Sequence, residues 1–471
     1  MKYLKSGIDD GGNVAGGGVT LAGRLSPFQQ TMLQWEKLHP YNAAHAARLP
    51  GRADVDSLSA AAHRAAVETG IGELAFDSLK RTYRYLPLRA ISIRELPESI
   101  NADETLRTVI AEELNTPFPA GPHHPIRWVV FNEGVARTHF VVLAYHHVAS
   151  DGFGIQAFLG LVLSYYLDFS SPSGSRPLVV KPKHGVQDSD HRKAQPRYFR
   201  PLVRTACEYF RLRSAHRMRE RKDGREETAF VLRRAEDGLV ERLYRTSRDR
   251  DVGLNDVILA ATGSAIAELT AKRRERSKRS KLALSTIISL RKRVGGRLDT
   301  KFGVHLRDCV ILLDDPDAGF ERVLEQVSSQ TRKFKTDRSA DEAARLPFIR
   351  YLWPIMRIPH TRASYQKLFP VCAGVSTIAE SELRFLDSMA RILRYVRVCP
   401  PGPAMPMVIA PTVMGRRMEL TLVCRESCLD VHQMGVLLDR VLSKVQEFAD
   451  ADSSPCQPKN SVRVACVAGA K

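Results

Sequence analysis

The segment Tyr145-His146-His147-Val148-Ala149-Ser150-Asp151-Gly152 holds the residues of this chain best suited to moving a proton. A neutral imidazole can take a proton from a hydroxyl or an amine near neutral pH. The residues before it, Thr138 to Tyr145, are nearly all apolar, the composition of a strand buried on both faces. Such a strand carries two histidines to its end, where Ser150-Asp151-Gly152 reverses the chain. His147 is the candidate general base, and His146 packs beside it or orients the loop. Asp151 suits a lock on the loop, through an arginine, better than contact with substrate. A strand-end histidine or an Asp-Gly turn alone is commonplace, whereas the joined pattern is specific.

Other chemistry-bearing residues have plainer readings. His123-His124 sits in a proline-rich turn without metal-ligand spacing, so a surface position is expected. Asn255 reads as a helix N-cap, with Asp256 favoured by the positive end of that helix, and both are carried as candidate substrate contacts. The eight cysteines are scattered. Cys424-x-x-x-Cys428 is the nearest approach to a pair, and no second pair or histidine cluster accompanies it. No metal site is expected, and reduced thiols in a cytoplasmic protein are the simpler reading.

The elements that must position these residues follow from periodicity. Ser26 caps a helix with Pro27 at its first position, and a second helix follows Asp54 with Val55, Leu58, Ala61, Ala62 and Ala65 on one face. Strands are expected at 126–131 and 138–145 around the Asn132-Glu133-Gly134 turn. Beyond Gly152, a stripe of Ile155, Phe158, Leu159, Val162, Leu163 and Tyr166 predicts a helix. Residues 170–200, rich in Ser, Pro, Gly and Lys, read as a linker. A helix from Asn255, an apolar strand from Leu282 to Leu290, and helices around Phe320–Phe334 and after Asp430 make a second α/β half. The expected division is a disordered tail at 1–20, an N-terminal subdomain at 21–180, a basic linker region at 181–225, a C-terminal subdomain at 226–450 and a flexible tail at 451–471. The candidate site lies between the halves.

Length and composition agree with two domains: 471 residues, 44% hydrophobic and 26% charged. No apolar run reaches the ~18 residues of a membrane span, and the N-terminus lacks the apolar core of a signal peptide. The net charge of +19 attracts anions. The basic stretches Arg211–Arg225 and Lys272–Lys281 read first as solvated faces, and otherwise as contacts for coenzyme A phosphates, an acidic carrier protein or anionic lipid. Aromatic residues are not interleaved with them, so nucleic acid is not expected as a partner.

The motif His146-His147-x-x-x-Asp151-Gly152 resembles the HHxxxDG signature of the acyltransferase superfamily built on the chloramphenicol acetyltransferase fold. That superfamily includes nonribosomal-peptide condensation domains, wax ester synthases and polyketide-associated acyltransferases. Leu25-Ser26-Pro27-Phe28-Gln29-Gln30 resembles the opening helix of condensation-like domains, and Pro125-Ile126-Arg127 the strand before the histidines. Asn255-Asp256-Val257-Ile258-Leu259-Ala260 and Ser289-Leu290-Arg291 are similar to wax ester synthase segments, and Gly374-Val375-Ser376 to the strand near the acyl-transfer centre. The resemblance covers roughly residues 20–450. Departures are Gly72-Glu73-Leu74-Ala75-Phe76 in place of an Arg-Thr pair, Thr377 where many relatives have asparagine, and the lack of a Pro-Leu-Trp motif. They leave the chain unassigned to either subfamily.

The resemblance implies an α/β fold of two-layer sandwiches, two similar subdomains in a V shape with a tunnel between them. It implies that His147 deprotonates an acceptor, which attacks a thioester directly without an acyl-enzyme. Ser376 is then a candidate oxyanion contact, and Asp151 pairs with Arg127 or Arg291. Gly152, Asn255, Asp256, Arg127 and Arg291 complete the expected substrate-binding set. No bound cofactor is expected; acyl-coenzyme A or an acyl-carrier-protein thioester is the co-substrate. The expected activity is transfer of an acyl group to a hydroxyl or amine of a lipid-like or secondary-metabolite acceptor. The alternatives are an amide-forming stand-alone condensation enzyme and a non-catalytic partner- or lipid-binding domain. A cytoplasmic location is expected, with peripheral membrane contact left open.

Overall fold

The structure, a computed structural model, describes residues 22–77, 79–134, 136–167, 199–221, 225–290, 302–336, 357–378 and 391–451. The expected N-terminal tail, all of the C-terminal tail after 451, and most of the linker lie outside the described residues. The first half runs β1 (Ala22–Arg24), α1 (Pro27–Glu36), β2 (Asn42–Pro50), α2 (Val55–Thr69), β3 (Glu73–Asp77), β4 (Thr82–Leu86), β5 (Ile93–Glu95), α3 (Ala102–Asn115), β6 (Ile126–Glu133), β7 (Thr138–His146) and α4 (Gly152–Tyr166). A connecting helix, α5 (Phe199–Leu212), leads to β8 (Thr228–Arg234), α6 (Leu239–Asp249), α7 (Leu254–Glu275), β9 (Leu282–Ser289), β10 (Leu306–Leu313) and α8 (Phe320–Thr336). The chain ends with α9 (Arg362–Leu368), β11 (Ala373–Val375), β12 (Arg394–Val398), β13 (Met407–Met414), β14 (Arg417–Arg425) and α10 (Val431–Asp450).

Two larger sheets organise this mixed α/β fold. One has five strands in the order β12-β2-β7-β6-β5, the other six in the order β10-β9-β11-β13-β14-β8. Strand β7 is central in the first sheet and buried along its whole length, as its apolar composition requires. Its alternate side chains feed two cores: Val141, Leu143 and Tyr145 meet α2 and α4, while Phe140, Val142 and Ala144 meet α3. In the second sheet Leu282, Leu284, Ile311 and Leu313 face a core shared with α7, α8 and α10. Ala283, Val310 and Leu312 face the other way, onto a cluster with Met32 and Trp35 of α1, Val148, Tyr365 of α9 and Phe369 just after it. The residue after His147 is thus packed against both halves of the chain.

Strand β12 crosses the expected boundary. It lies late in the sequence, yet it pairs antiparallel with β2, Arg397 opposite His45, and so completes the first sheet. A division at residue 226 therefore does not describe this sheet. The helix expected from Asn255 begins one residue earlier, with Gly253 at its N-cap. The Asp256 carboxylate accepts the Gly253 N–H at 3.4 Å, which does the capping that the sequence assigns to Asn255.

Candidate active site

His147 leaves β7 as the first residue of a five-residue loop, 147–151, held from both sides. Its N–H donates to the Tyr41 carbonyl at 3.2 Å, and its ring stacks on the Tyr41 ring, centroids 5.5 Å apart. Tyr145 meets the ring edge-on. The Nδ1 atom lies 3.0 Å from the Ser150 carbonyl. A carbonyl only accepts, so Nδ1 carries the proton and Nε2 keeps its lone pair. Burial lowers the pKa of His147 below the usual histidine value, outweighing the hydrogen bonds and the Asp151 charge that act to raise it. The result is a neutral imidazole, partly accessible, with its basic nitrogen fixed in direction.

Asp151 is the N-cap of α4: one carboxylate oxygen accepts the Gly154 N–H at 2.9 Å, and the other accepts the N–H of His305 at 2.9 Å. The Asp151 N–H donates to the Gly303 carbonyl at 3.1 Å. Asp151 thus ties the histidine loop to the segment before β10. Gly152 is the first residue of α4, against Arg397 and His45; a Cβ there would lie 3.5 Å from Arg397 Nη1.

Arg397 is the residue that sequence reasoning missed. It is only 2% exposed, and it donates through Nη2 to the carbonyls of Ser376 and Pro411 and through Nη1 to the Ser376 hydroxyl at 3.4 Å. Ser376, the expected oxyanion contact, spends its own N–H on the Ile409 carbonyl at 3.0 Å. That leaves its hydroxyl, accepting from Arg397, as the group that could reach a substrate. Burial, then Arg397, then His147 hold the His45 pKa well below the usual histidine value. Its Nδ1 is hydrogen-bonded with the Tyr395 hydroxyl at 2.6 Å.

The remaining candidates divide. Asn255 donates to the Thr286 hydroxyl at 3.1 Å and accepts from the Thr377 hydroxyl at 3.0 Å, so it steadies the strand end beside Ser376. Thr377 has a defined use despite standing where asparagine was expected. Asp256 is buried in its capping role. Arg127 does not serve as the Asp151 partner: its guanidinium is taken by Glu113 and the Glu113, Thr116 and Pro117 carbonyls, over the Phe118 ring. Arg291 lies outside the described residues. His146 faces away from His147, between Phe76 and Phe118, with Nε2 on Glu36 at 3.0 Å and Nδ1 on His123 at 3.3 Å. His123 is therefore buried, not in the surface position expected for it.

One further correction concerns the basic stretches, while the opening helix starts as expected. Arg274 is buried and paired with Asp317, so Lys272–Lys281 is not wholly solvated. Gln29 of α1 forms a capping box with Ser26 and also donates to the Val148 carbonyl at 2.8 Å. A mostly apolar cleft of about 50 Å³ opens beside Tyr41, lined by Phe28, Trp35, Tyr365, Phe369 and Met405, with Ser285 and Asp308 as its polar members. Among the described residues no group of three or more His, Cys, Asp or Glu is arranged to hold a metal ion, and no single helix is long and apolar enough to cross a membrane.

Neither a family model nor a curated protein matches the sequence. Solved structures do. The first condensation domain of the CDA synthetase superposes with a TM-score of 0.64 at 16% identity, over 91% of this chain and 95% of that one. The SgcC5 protein from Streptomyces globisporus, in complex with a naphthyl ethanediol and sucrose, gives 0.61 at 15%, over 91% and 99%. A mutant starter condensation domain of rhizomide synthetase RzmA, in complex with C8-CoA and Leu-SNAC, gives 0.62 at 14%, over 91% and 94%. At such low identity the likeness establishes architecture: the chain has the condensation-domain fold, the chloramphenicol acetyltransferase-like arrangement that its motifs resemble.

Proposed function

We propose that this protein is an acyltransferase that moves an acyl group from a coenzyme A or carrier-protein thioester to a hydroxyl or amine. The observation that carries the reading is the state of His147, neutral, with its proton fixed on the Ser150 carbonyl and Nε2 free to accept. The acceptor O–H or N–H gives its proton to Nε2 as its oxygen or nitrogen bonds to the thioester carbonyl carbon. The tetrahedral intermediate then collapses, the C–S bond breaks, and the thiolate leaves with the proton that Nε2 returns. No covalent enzyme intermediate is required. Asp151 and Ser150 fix the loop, and Arg397 places a buried positive charge beside the Ser376 hydroxyl, where it favours developing negative charge.

Two similar structures support the two acceptor chemistries: one holds a diol, the other an acyl-coenzyme A with an aminoacyl thioester mimic. A lipid-like or secondary-metabolite alcohol is the preferred acceptor, consistent with the apolar cleft beside Tyr41. The amide-forming reading uses the same base and differs only in the attacking atom. The test is free-thiol release from acyl-coenzyme A donors with pooled alcohols and amines, run with wild type and His147→Ala. Acceptor-dependent release that falls about 10²–10⁴-fold in the variant is expected. Equal release by both proteins, or none with either coenzyme A or carrier-protein donors, would remove the catalytic reading.

A further inference from the structure

A narrow pocket shares Trp35 and Tyr41 with the apolar cleft and holds two arginines whose carboxylate partners differ sharply in distance and exposure. Its walls include His39, Thr228, Arg362 and Arg425. The Arg425 side chain is 3% exposed; it donates to the Gly402 carbonyl and is paired with Glu220. Glu220 is further occupied by the Gln366 amide at 3.1 Å. Arg362 has a weaker set of partners. Its side chain is 12% exposed, its bond to the Leu38 carbonyl is 3.3 Å, and its nearest carboxylate is Glu226 at 3.8 Å, which is 82% exposed to solvent.

Arg425 thus has a close carboxylate, whereas Arg362, mostly withdrawn from solvent, has only an exposed one 3.8 Å away. Removing a charge from water costs several kcal/mol unless it is paired and hydrogen-bonded. The strain shows on the neighbours: burial and then Arg425 lower the Arg362 pKa, and burial together with both arginines lowers that of His39. The guanidinium is the group best shaped to grip a carboxylate or phosphate with two parallel N–H bonds. The pocket also shares two walls with the larger cleft, Trp35 and Tyr41, and Tyr41 is the ring stacked on His147.

We propose that Arg362, with Arg425 behind it, binds an anionic group, a carboxylate or a phosphate, of a substrate whose body lies along Trp35 and Tyr41 toward His147. The inference rests on His147 marking the reacting end. The apolar cleft takes the uncharged body of the ligand, and the arginine pocket fixes its charged end. This arrangement selects acidic substrates and sets their distance from the base. The anion has two sources, a carboxylate on the acceptor or the phosphate of a pantetheine-bearing thioester arm.

The test reads binding without catalysis. Trp35 lines the pocket and is one of three tryptophans, so intrinsic fluorescence of the full chain is titrated with inorganic phosphate and, separately, with acetate. The expected result is a saturable change with at least one anion, weakened about tenfold or more in Arg362→Gln, partly kept in Arg362→Lys and absent in Trp35→Phe. Tighter phosphate binding assigns the anion to the thioester arm, and tighter acetate binding to the acceptor. No saturable change, an unchanged response in Arg362→Gln, or a signal that survives Trp35→Phe overturns the proposal. The same titration on His147→Ala must give the wild-type result, so a failed acyl-transfer assay and a failed anion site are separately visible.

Discussion

The side-chain amide of Gln29 reaches 2.8 Å to the carbonyl of Val148, across 119 residues of sequence, while its own oxygen accepts the Ser26 N–H. One side chain therefore caps α1 and holds the residue next to the base. Gln29→Ala loses both bonds and leaves a buried carbonyl without this donor, so a loss of about 1–3 kcal/mol in urea-unfolding stability is expected, with a fall in kcat. Gln29→Glu keeps the cap but has no N–H for Val148. If that variant matches wild type in both measurements, the link to the histidine loop has no consequence.

Protonation of His147 sets the acid limb of the rate profile. Burial lowers its pKa below 6.5, so the base form persists under mildly acidic conditions. The plot of kcat/KM against pH should fall toward acid with an apparent pKa below 6.5. A limb centred above 6.5 would place the titrating group elsewhere. His147→Gln, with no basic nitrogen, should flatten that limb and lower kcat about 10²–10⁴-fold while the fold survives by circular dichroism.

Much of this arrangement is legible in local sequence. The apolar run of β7, the stripe on α4 and the Ser26-Pro27 start of α1 each place an element where the structure has it. Local signals end where long-range pairing begins. His45 and Tyr395 touch across 350 residues, and nothing near Arg397 in sequence announces that β12 will join the first sheet. Arg127 misleads for the same reason: its partner Glu113 lies on α3, a pairing that spacing alone does not reveal. Asn255 resembles a cap because Asn and Asp share that preference, and the cap falls two residues earlier, at Gly253.

Each carboxylate oxygen of Asp151 accepts a backbone N–H, from Gly154 and from His305. Asp151→Asn keeps one acceptor for Gly154 and turns an amide toward the His305 N–H, setting two donors face to face. The expected cost is about 1–3 kcal/mol in unfolding free energy. Acyl transfer should fall too, because the loop that fixes the Ser150 carbonyl loosens, and with it the Nδ1 proton of His147. Wild-type stability together with a large rate loss would instead mean that Asp151 acts on substrate directly.

Buried histidines make the whole fold acid-sensitive, and the sign follows from which state takes up protons. Burial lowers the pKa of His39, His45, His123, His124, His139 and His147, and moves His216 to about 4, where Arg274, Arg273 and Arg219 add to the effect. Unfolded, each would titrate near 6.5. Below that pH the unfolded chain binds more protons than the folded one, so stability decreases as pH falls. The contribution is complete above about 6.5 and is lost progressively as pH falls toward the folded values, that of His216 being about 4. The depressed carboxylates Asp54, Glu112 and Asp317 act below their unfolded values near 4, a separate window. Urea midpoints should therefore be level at pH 7–8 and decline between pH 6.5 and 4, with net proton uptake on unfolding at pH 5. His216→Asn, which removes one titrating ring, should make the decline shallower at its acid end. A midpoint that holds or rises from pH 6.5 to 4.5 would mean that these rings are already protonated in the folded protein, and the neutral state assigned to His147 would fall with them.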